Sequence, residues 1–182
     1  MLTLFYDDRP LSPKLADAAP SLFLAGPTSK GCRTRWRLDA IDHLANRGFA
    51  GTVIIPEFCD RPFADAAPTH FAGDHCPVPN MRPVSYNILD WETAGIEHAT
   101  IVLFWMPFAI AAEDDPSSLP GFTTRAEVSR ELARAPDRVV LGMPHGALSA
   151  SHIRYHAHRA GVPIHDTLDA TVDAALAKLP RR

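Results

Sequence analysis

The sequence of 182 residues predicts an α/β domain in which a parallel sheet carries helices on both faces. Short apolar runs typical of buried strands alternate with longer stretches of helical periodicity. The most apolar run, residues 101–106, is stopped by a proline and is predicted as the central strand. Right-handed crossovers between parallel strands place every strand-to-helix loop at one edge of the sheet. Because open α/β sheets bind ligands beyond the carboxyl ends of their strands, we expect the functional residues at that edge.

Composition limits the classes of protein to which the chain can belong. Apolar residues make up 46% and charged residues 21%, so one globular domain spanning residues 1–182 is expected. The formal net charge of −3 argues against a nucleic-acid polymer as partner. No apolar run approaches the roughly 20 residues that span a bilayer, so no membrane partner is expected. Three cysteines without CxxC spacing and no visible signal peptide favour a cytoplasmic protein with reduced thiols.

The first third of the chain begins with an arm and continues with regular alternation. Residues 1–20 are rich in proline and alanine and are predicted as an N-terminal arm, in which residues 2–6 are a candidate edge strand. The elements that follow are a strand at residues 21–25, a helix at 34–47 and a strand at 52–56.

Both of these strands are followed by candidate site residues at the carboxyl edge. Gly26, Pro27 and Thr28 end the first strand, and a glycine there lets a ligand approach the backbone closely. Glu57 follows the second strand. An ordinary turn and a solvated carboxylate are the alternative interpretations.

Residues 58–84 interrupt the alternation with five prolines and no periodicity. A loop of this length in a compact domain is usually a lid, a binding loop or an insertion. It contains His70, His75 and Cys76, but no fourth ligand has the spacing of a metal site, so no metal is expected.

The second half of the chain resumes the alternation of helix and strand. On the helix after the fourth predicted strand, His152, His156 and His158 lack an acidic partner, which favours a solvated face over a metal site. The predicted elements are helices at residues 86–98, 123–135, 151–160 and 167–179 and strands at 101–106, 139–143 and 162–164.

Two carboxylates flank the central strand, one on the helix before it and one on the helix after it. Glu92 shares an apolar stripe with Ile88 and Ile96, where a charge is costly unless it is paired or used. Alternatively, Glu92 lies at the core boundary and reaches water. Glu127 is predicted in the first turn of its helix, facing the crevice. Its alternative role is a capping box with Thr124, worth about 1 kcal/mol.

Several segments together are similar to the nucleoside 2-deoxyribosyltransferase-like family. They are residues 24–27, 51–57, 91–92, 103–107 and 119–127, and the resemblance extends from residue 21 to about residue 175. It implies a flavodoxin-like (Rossmann-like) three-layer sandwich with a central five-stranded parallel sheet. It also implies cleavage of an N-glycosidic bond between a base and a deoxyribosyl group, no cofactor, and a homodimer or larger homo-oligomer.

The resemblance assigns roles to individual residues. Glu127 matches the nucleophilic glutamate, and Glu92 matches the acidic residue, usually aspartate, that handles the proton of the base. Well-studied transferases carry an aspartate where this chain has Gly121, so Thr123 or Thr124 is expected to take over its sugar contact. The substrate-binding set is Gly26, Pro27, Thr28, Glu57, Trp91, Gly121, Phe122, Thr123 and Thr124.

These groups suit chemistry that passes through an oxocarbenium-like transition state. One carboxylate can capture the sugar carbon as a covalent intermediate, while a second carboxyl group, kept protonated by burial, donates to the departing base. Water or a second base would then resolve the intermediate with net retention.

Other functions remain open. A nucleoside 5′-monophosphate hydrolase is one, because Lys30, Arg33 and Arg35 could meet a phosphate. A phosphoribohydrolase of the cytokinin-activating type is disfavoured, since the glycines of its Pro-Gly-Gly-x-Gly-Thr stretch are missing here. A non-catalytic nucleotide-binding module is the alternative outside the enzymes.

Overall fold

The computed structural model describes residues 3–6, 20–27, 36–56, 83–107, 121–147 and 150–180. The strands in these ranges are β1 (Thr3–Tyr6), β2 (Ser21–Ala25), β3 (Thr52–Ile55), β4 (Ile101–Trp105), β5 (Val139–Gly142) and β6 (Ile164–His165). The α-helices are α1 (Trp36–Asn46), α2 (Pro83–His98), α3 (Phe122–Arg134), α4 (Ser151–Arg159) and α5 (Leu168–Lys178). In the described part of the chain, no helix combines the length and apolar character needed to cross a bilayer.

The strands form one all-parallel sheet in the order β1-β3-β2-β4-β5-β6. Strands β2 to β6 are the five expected strands, and their order is the 2-1-3-4-5 order of flavodoxin-like folds. The predicted fold class is therefore confirmed. The candidate edge strand is also confirmed, since β1 lies outside β3 and pairs Thr3 with Thr52.

Helices cover both faces of this sheet and divide its core into two clusters. On one face, Trp36 and Leu44 of α1 and Val172 of α5 pack with Leu24 and Leu103 of the strands. On the other face, α2, α3 and α4 pack against the alternate strand residues, with Ile96, Val128 and Ile153 among the contacts. Strands buried on both faces explain the near-continuous apolar runs of the sequence.

Several element boundaries differ from the predicted ones for identifiable reasons. Helix α2 begins at Pro83 rather than at residue 86, because proline is well suited to the first turn of a helix. This start also shortens the predicted 58–84 loop, most of which lies outside the described residues together with His70, His75 and Cys76. The last strand is Ile164–His165 rather than residues 162–164, since Pro163 has no N–H to donate.

Polar contacts link neighbouring helices on each face of the sheet. Arg134 Nη1 donates to Glu97 Oε1 at 2.6 Å, which links the C-terminal ends of α2 and α3. On the opposite face, Asp173 of α5 accepts from His43 of α1 at 2.9 Å and from Arg47, just beyond the end of α1, at 2.6 Å. These hydrogen bonds hold the pKa of Asp173 below its ordinary value.

Candidate functional site

The carboxyl ends of β2 and β4 form the topological switch point of the sheet. From β2 the chain continues through α1 to β3 on one side, and from β4 it continues through α3 to β5 on the other. The two strands pair side by side, with Ala25 opposite Phe104, while their following helices diverge onto opposite faces. A crevice opens where helices diverge in this way, and α/β proteins bind ligands there.

Gly26 forms the floor of this crevice. A β-carbon at this position would lie 2.6 Å from the Trp105 carbonyl oxygen and 2.6 Å from the Trp36 ring, so only glycine fits without displacing backbone. The Trp36 Nε1–H donates to the Pro27 carbonyl at 3.4 Å and holds the next residue in place. The structure thus brings Gly26 and Pro27 to the predicted edge.

Arg37 lies beneath the same floor, and the sequence analysis did not identify it. Its side chain is 0% exposed, and it donates from Nε to the Leu24 carbonyl at 3.2 Å and from Nη2 to the Gly26 carbonyl at 2.9 Å. The guanidinium carbon also lies 4.4 Å from the centroid of the Trp36 ring. A signal was present, because Arg37 shares the helical stripe of Ala40 and its apolar neighbours.

Gly121 sets the start of α3 and thereby the position of Glu127. It is the N-cap residue, in the left-handed region at φ 65° and ψ 45°, where glycine has no steric cost, and no side chain caps the helix. Glu127 therefore lies in the second turn, so its predicted place in the first turn is wrong. The capping box is also wrong, because Thr124 is inside the helix at the third position, buried to 4% exposure.

Glu127 is half-buried on the flank of α3. Burial raises the pKa of its carboxyl group, the charges of Arg130 and then Arg37 lower it, and Glu131 raises it further. Across the described ranges, no residue forms a hydrogen bond or ion pair with this carboxylate. By contrast, the buried Glu131 accepts from Arg130 Nε at 3.0 Å. Glu127 is thus a partly desolvated carboxylate near the carboxyl edge of the sheet.

Glu92 lies at a similar height on the neighbouring helix. The ion pair between Glu97 and Arg134 fixes a common level on the two helices. With a rise of about 1.5 Å per residue, Glu92 lies about 7 Å from Glu97 along α2, toward its N-terminus, and Glu127 lies about 10 Å from Arg134 along α3 in the same sense. Seven residues are close to two turns, so Glu127 lies on the side of α3 that faces α2. Glu92 is half-buried on the stripe of the buried Ile96, as predicted. The two carboxylates therefore lie at comparable positions along the helices that precede and follow β4.

The other predicted site residues are placed less uniformly. Trp91 is buried in the core, with its ring centroid 6.2 Å from that of Phe23. Thr123 is exposed and Thr124 buried in the first turn of α3, at the carboxyl edge of the sheet. Outside the described residues, or with undescribed side chains, lie Thr28, Glu57, Phe122, Lys30, Arg33 and Arg35.

The histidines of α4 fit the predicted solvated face. His152 and His158 are exposed, and the rings of His152 and His156 meet edge to face at 4.4 Å between centroids. Within the described ranges, no three His, Cys, Asp or Glu side chains gather so that they could hold a metal ion.

Comparison with known proteins does not assign a function to the chain. No protein-family model matches the chain, and no curated protein sequence matches it significantly. Chemically, this edge carries one half-buried carboxylate on α3, a second carboxyl group on α2, and the backbone of Gly26, packed tightly against the Trp105 carbonyl and the Trp36 ring.

Proposed function

We propose that the protein cleaves the N-glycosidic bond of a nucleoside or nucleotide, with transfer of the deoxyribosyl group to a second base or to water. The observation that carries the proposal is Glu127, a half-buried carboxylate without a hydrogen bond or ion pair to any described residue, at the switch-point crevice. The resemblance to the nucleoside 2-deoxyribosyltransferase-like family supports the same role. It also implies a homodimer or larger assembly and no cofactor.

In the proposed reaction, a Glu127 oxygen forms a bond to the anomeric carbon as the bond from that carbon to the base nitrogen breaks. The electron pair of the broken bond leaves with the base, and Glu92 donates the proton that neutralises it. Water or an acceptor base then attacks the same carbon and gives up a proton to the Glu92 carboxylate, and the bond from that carbon to Glu127 breaks to release its carboxylate. Two displacements give net retention.

Two hydroxyls at the start of α3 suit a sugar. Thr123 and Thr124 are the proposed sugar contacts in place of an aspartate at position 121. Thr124 is 4% exposed and lies in the first turn of α3.

Chromatography of a substrate panel tests the activity. The full chain is incubated with nucleosides and nucleoside 5′-monophosphates, each with and without a free acceptor base. Release of base without acceptor identifies a hydrolase, and a new nucleoside formed only with acceptor identifies a transferase. Turnover confined to 5′-monophosphates means that a phosphate is required. If no compound changes, the enzyme proposal is contradicted, and a thermal shift without turnover supports a binding module.

Replacing Glu92 by glutamine tests its role as the acid. The amide cannot donate an acidic proton, so we expect release of an ordinary base to slow by about 100-fold or more. A 7-methylpurine leaves as a neutral base without prior protonation, so its release is expected to change little. The measurement is kcat for both substrates, with Asp90→Asn, an exposed neighbour on α2, as the control. An equal loss on both substrates would contradict the assignment.

A further inference from the structure

Helix α4 is anchored to the core on one side and carries two histidines on the other. Ile153 and Ala157 are buried in the core cluster that α4 shares with α2 and α3. His152 is exposed and His156 is half-buried, so the solvent reaches both imidazoles. Because the core fixes the backbone of the helix, the two histidines project from positions that are already ordered.

The two imidazoles lie within chelating distance of each other. Residues four apart on a helix lie one above the other on the same face. The ring centroids of His152 and His156 are 4.4 Å apart, with the ring planes inclined at 67°. Two imidazole nitrogens that share one zinc ion each lie about 2.0–2.1 Å from it, and so at most about 4 Å from each other. Rotation of the side chains can bring one nitrogen of each ring to that separation.

The two arginines of α4 are engaged by groups other than these histidines. Arg159 Nη1 donates to the Tyr155 hydroxyl at 3.3 Å, and its guanidinium carbon lies 5.9 Å from the centroid of the Tyr155 ring. Arg154 Nη2 donates to the Pro144 carbonyl at 3.0 Å. These contacts hold both guanidinium groups and limit the repulsion that they exert on a metal ion bound by the histidines.

We propose that His152 and His156 form a two-histidine site for a divalent transition-metal ion on the outer face of α4. Imidazole nitrogen is a ligand that suits Zn²⁺, Cu²⁺ and Ni²⁺, whereas Mg²⁺ and Ca²⁺ prefer oxygen ligands. Among the described residues, no third His, Cys, Asp or Glu joins the pair. Water therefore completes the coordination, and the site remains compatible with a solvated helix face.

Zinc is the probe for this site, because it has no geometric preference that two ligands would have to satisfy. The full chain, without an affinity tag, is titrated with ZnCl₂, and the ring protons of its histidines are followed by NMR. We expect the His152 and His156 signals to shift with one common midpoint, before the exposed His158 responds. MgCl₂ is expected to leave all three signals unchanged. Signals of individual residues separate this site from zinc bound elsewhere in the chain.

Three variants test whether the pair acts together. In His152→Ala, the zinc concentration that half-shifts the His156 signal is expected to rise about tenfold or more. His158→Ala removes a histidine of the same helix outside the pair, so the parental midpoint is expected. Combining Ser151→His with His152→Ala keeps the number of histidines but separates the rings by about 140° around the helix, so the loss of His152→Ala is expected to persist.

All three substituted side chains are exposed, so the variants are expected to fold, which their amide spectra check. Separate midpoints for His152 and His156 in the parent would overturn the proposal, as would an unchanged His156 midpoint in His152→Ala. Parental affinity in the double variant would also contradict it, because zinc would then respond to the number of histidines and not to their spacing.

Discussion

Replacing Glu127 by glutamine is expected to abolish turnover and, at neutral pH, to make the free protein more stable. Loss of a covalent nucleophile typically lowers kcat by about 10⁴-fold or more, since the amide cannot form the glycosyl intermediate. The stabilising effect arises because the parent holds a partly desolvated carboxylate that no described residue bonds. Removing such a functional cost commonly adds about 1 kcal/mol to the free energy of unfolding.

The pH dependence of this stability difference follows from the raised pKa of Glu127. The folded protein binds the proton more tightly than the unfolded chain, whose carboxyl has the ordinary value of 4.5. The cost is therefore fully present above the raised folded pKa and disappears as the pH falls below about 4.5. The advantage of the glutamine variant should disappear over the same interval, and turnover of the parent should fall with it.

Urea unfolding at neutral and acid pH, together with kcat, measures both effects. Glu97→Gln makes the same chemical change on the exposed end of α2 and is expected to change both quantities little, because a surface ion pair contributes little. A Glu127→Gln protein that turns over at the parental rate would exclude the nucleophile. One that is destabilised at neutral pH would show that the carboxylate supports the fold.

Replacing Gly26 by alanine is expected to damage both the fold and the site. The added β-carbon would lie 2.6 Å from a backbone oxygen of β4, which cannot move aside as a flexible side chain can. Forcing β2 and β4 apart is expected to cost about 1–3 kcal/mol of unfolding free energy. A displacement of the floor by a fraction of an ångström to 1 Å would also lower kcat/KM by up to about 100-fold.

Gly146→Ala is the matched control for this substitution, since a β-carbon at Gly146 meets nothing within 4 Å among the described residues. Thermal unfolding and kcat/KM of both variants are compared with the parent. Parental values for both quantities in Gly26→Ala would show that the crevice floor is less tight than the structure indicates.

Much of the fold could be predicted from the sequence because burial on both faces leaves an unbroken apolar signal. Residues 101–106 are one example, and Thr167, whose hydroxyl accepts from the Ala170 N–H at 3.2 Å, is a helix start that was correctly predicted. The start of α3 was not predictable by the same means. A left-handed glycine at position 121 begins the helix without a side-chain cap, while Thr124 offered a stronger but false signal.

Only some residues of the candidate site could be predicted from the sequence. Glu92 and Glu127 stand out because each belongs to an element next to the central strand. Arg37 is about ninety residues from Glu127 in the chain, and nothing local links the two. Arg37 contacts the Gly26 carbonyl at the end of β2, and only the strand order places that end beside β4, which precedes the helix of Glu127. An arginine on an apolar stripe was nonetheless as informative as the glutamate on α2.

The outermost strand has a consequence for the order of folding. Strand β1 pairs with β3 through residues about fifty positions further along, so it is synthesised long before its partner. Its hydrogen bonds can form only after β3 has been made, and closing so long a loop is slow compared with a local contact. During synthesis, β1 therefore stays unpaired until β3 has been made, and the β1 edge of the sheet forms late.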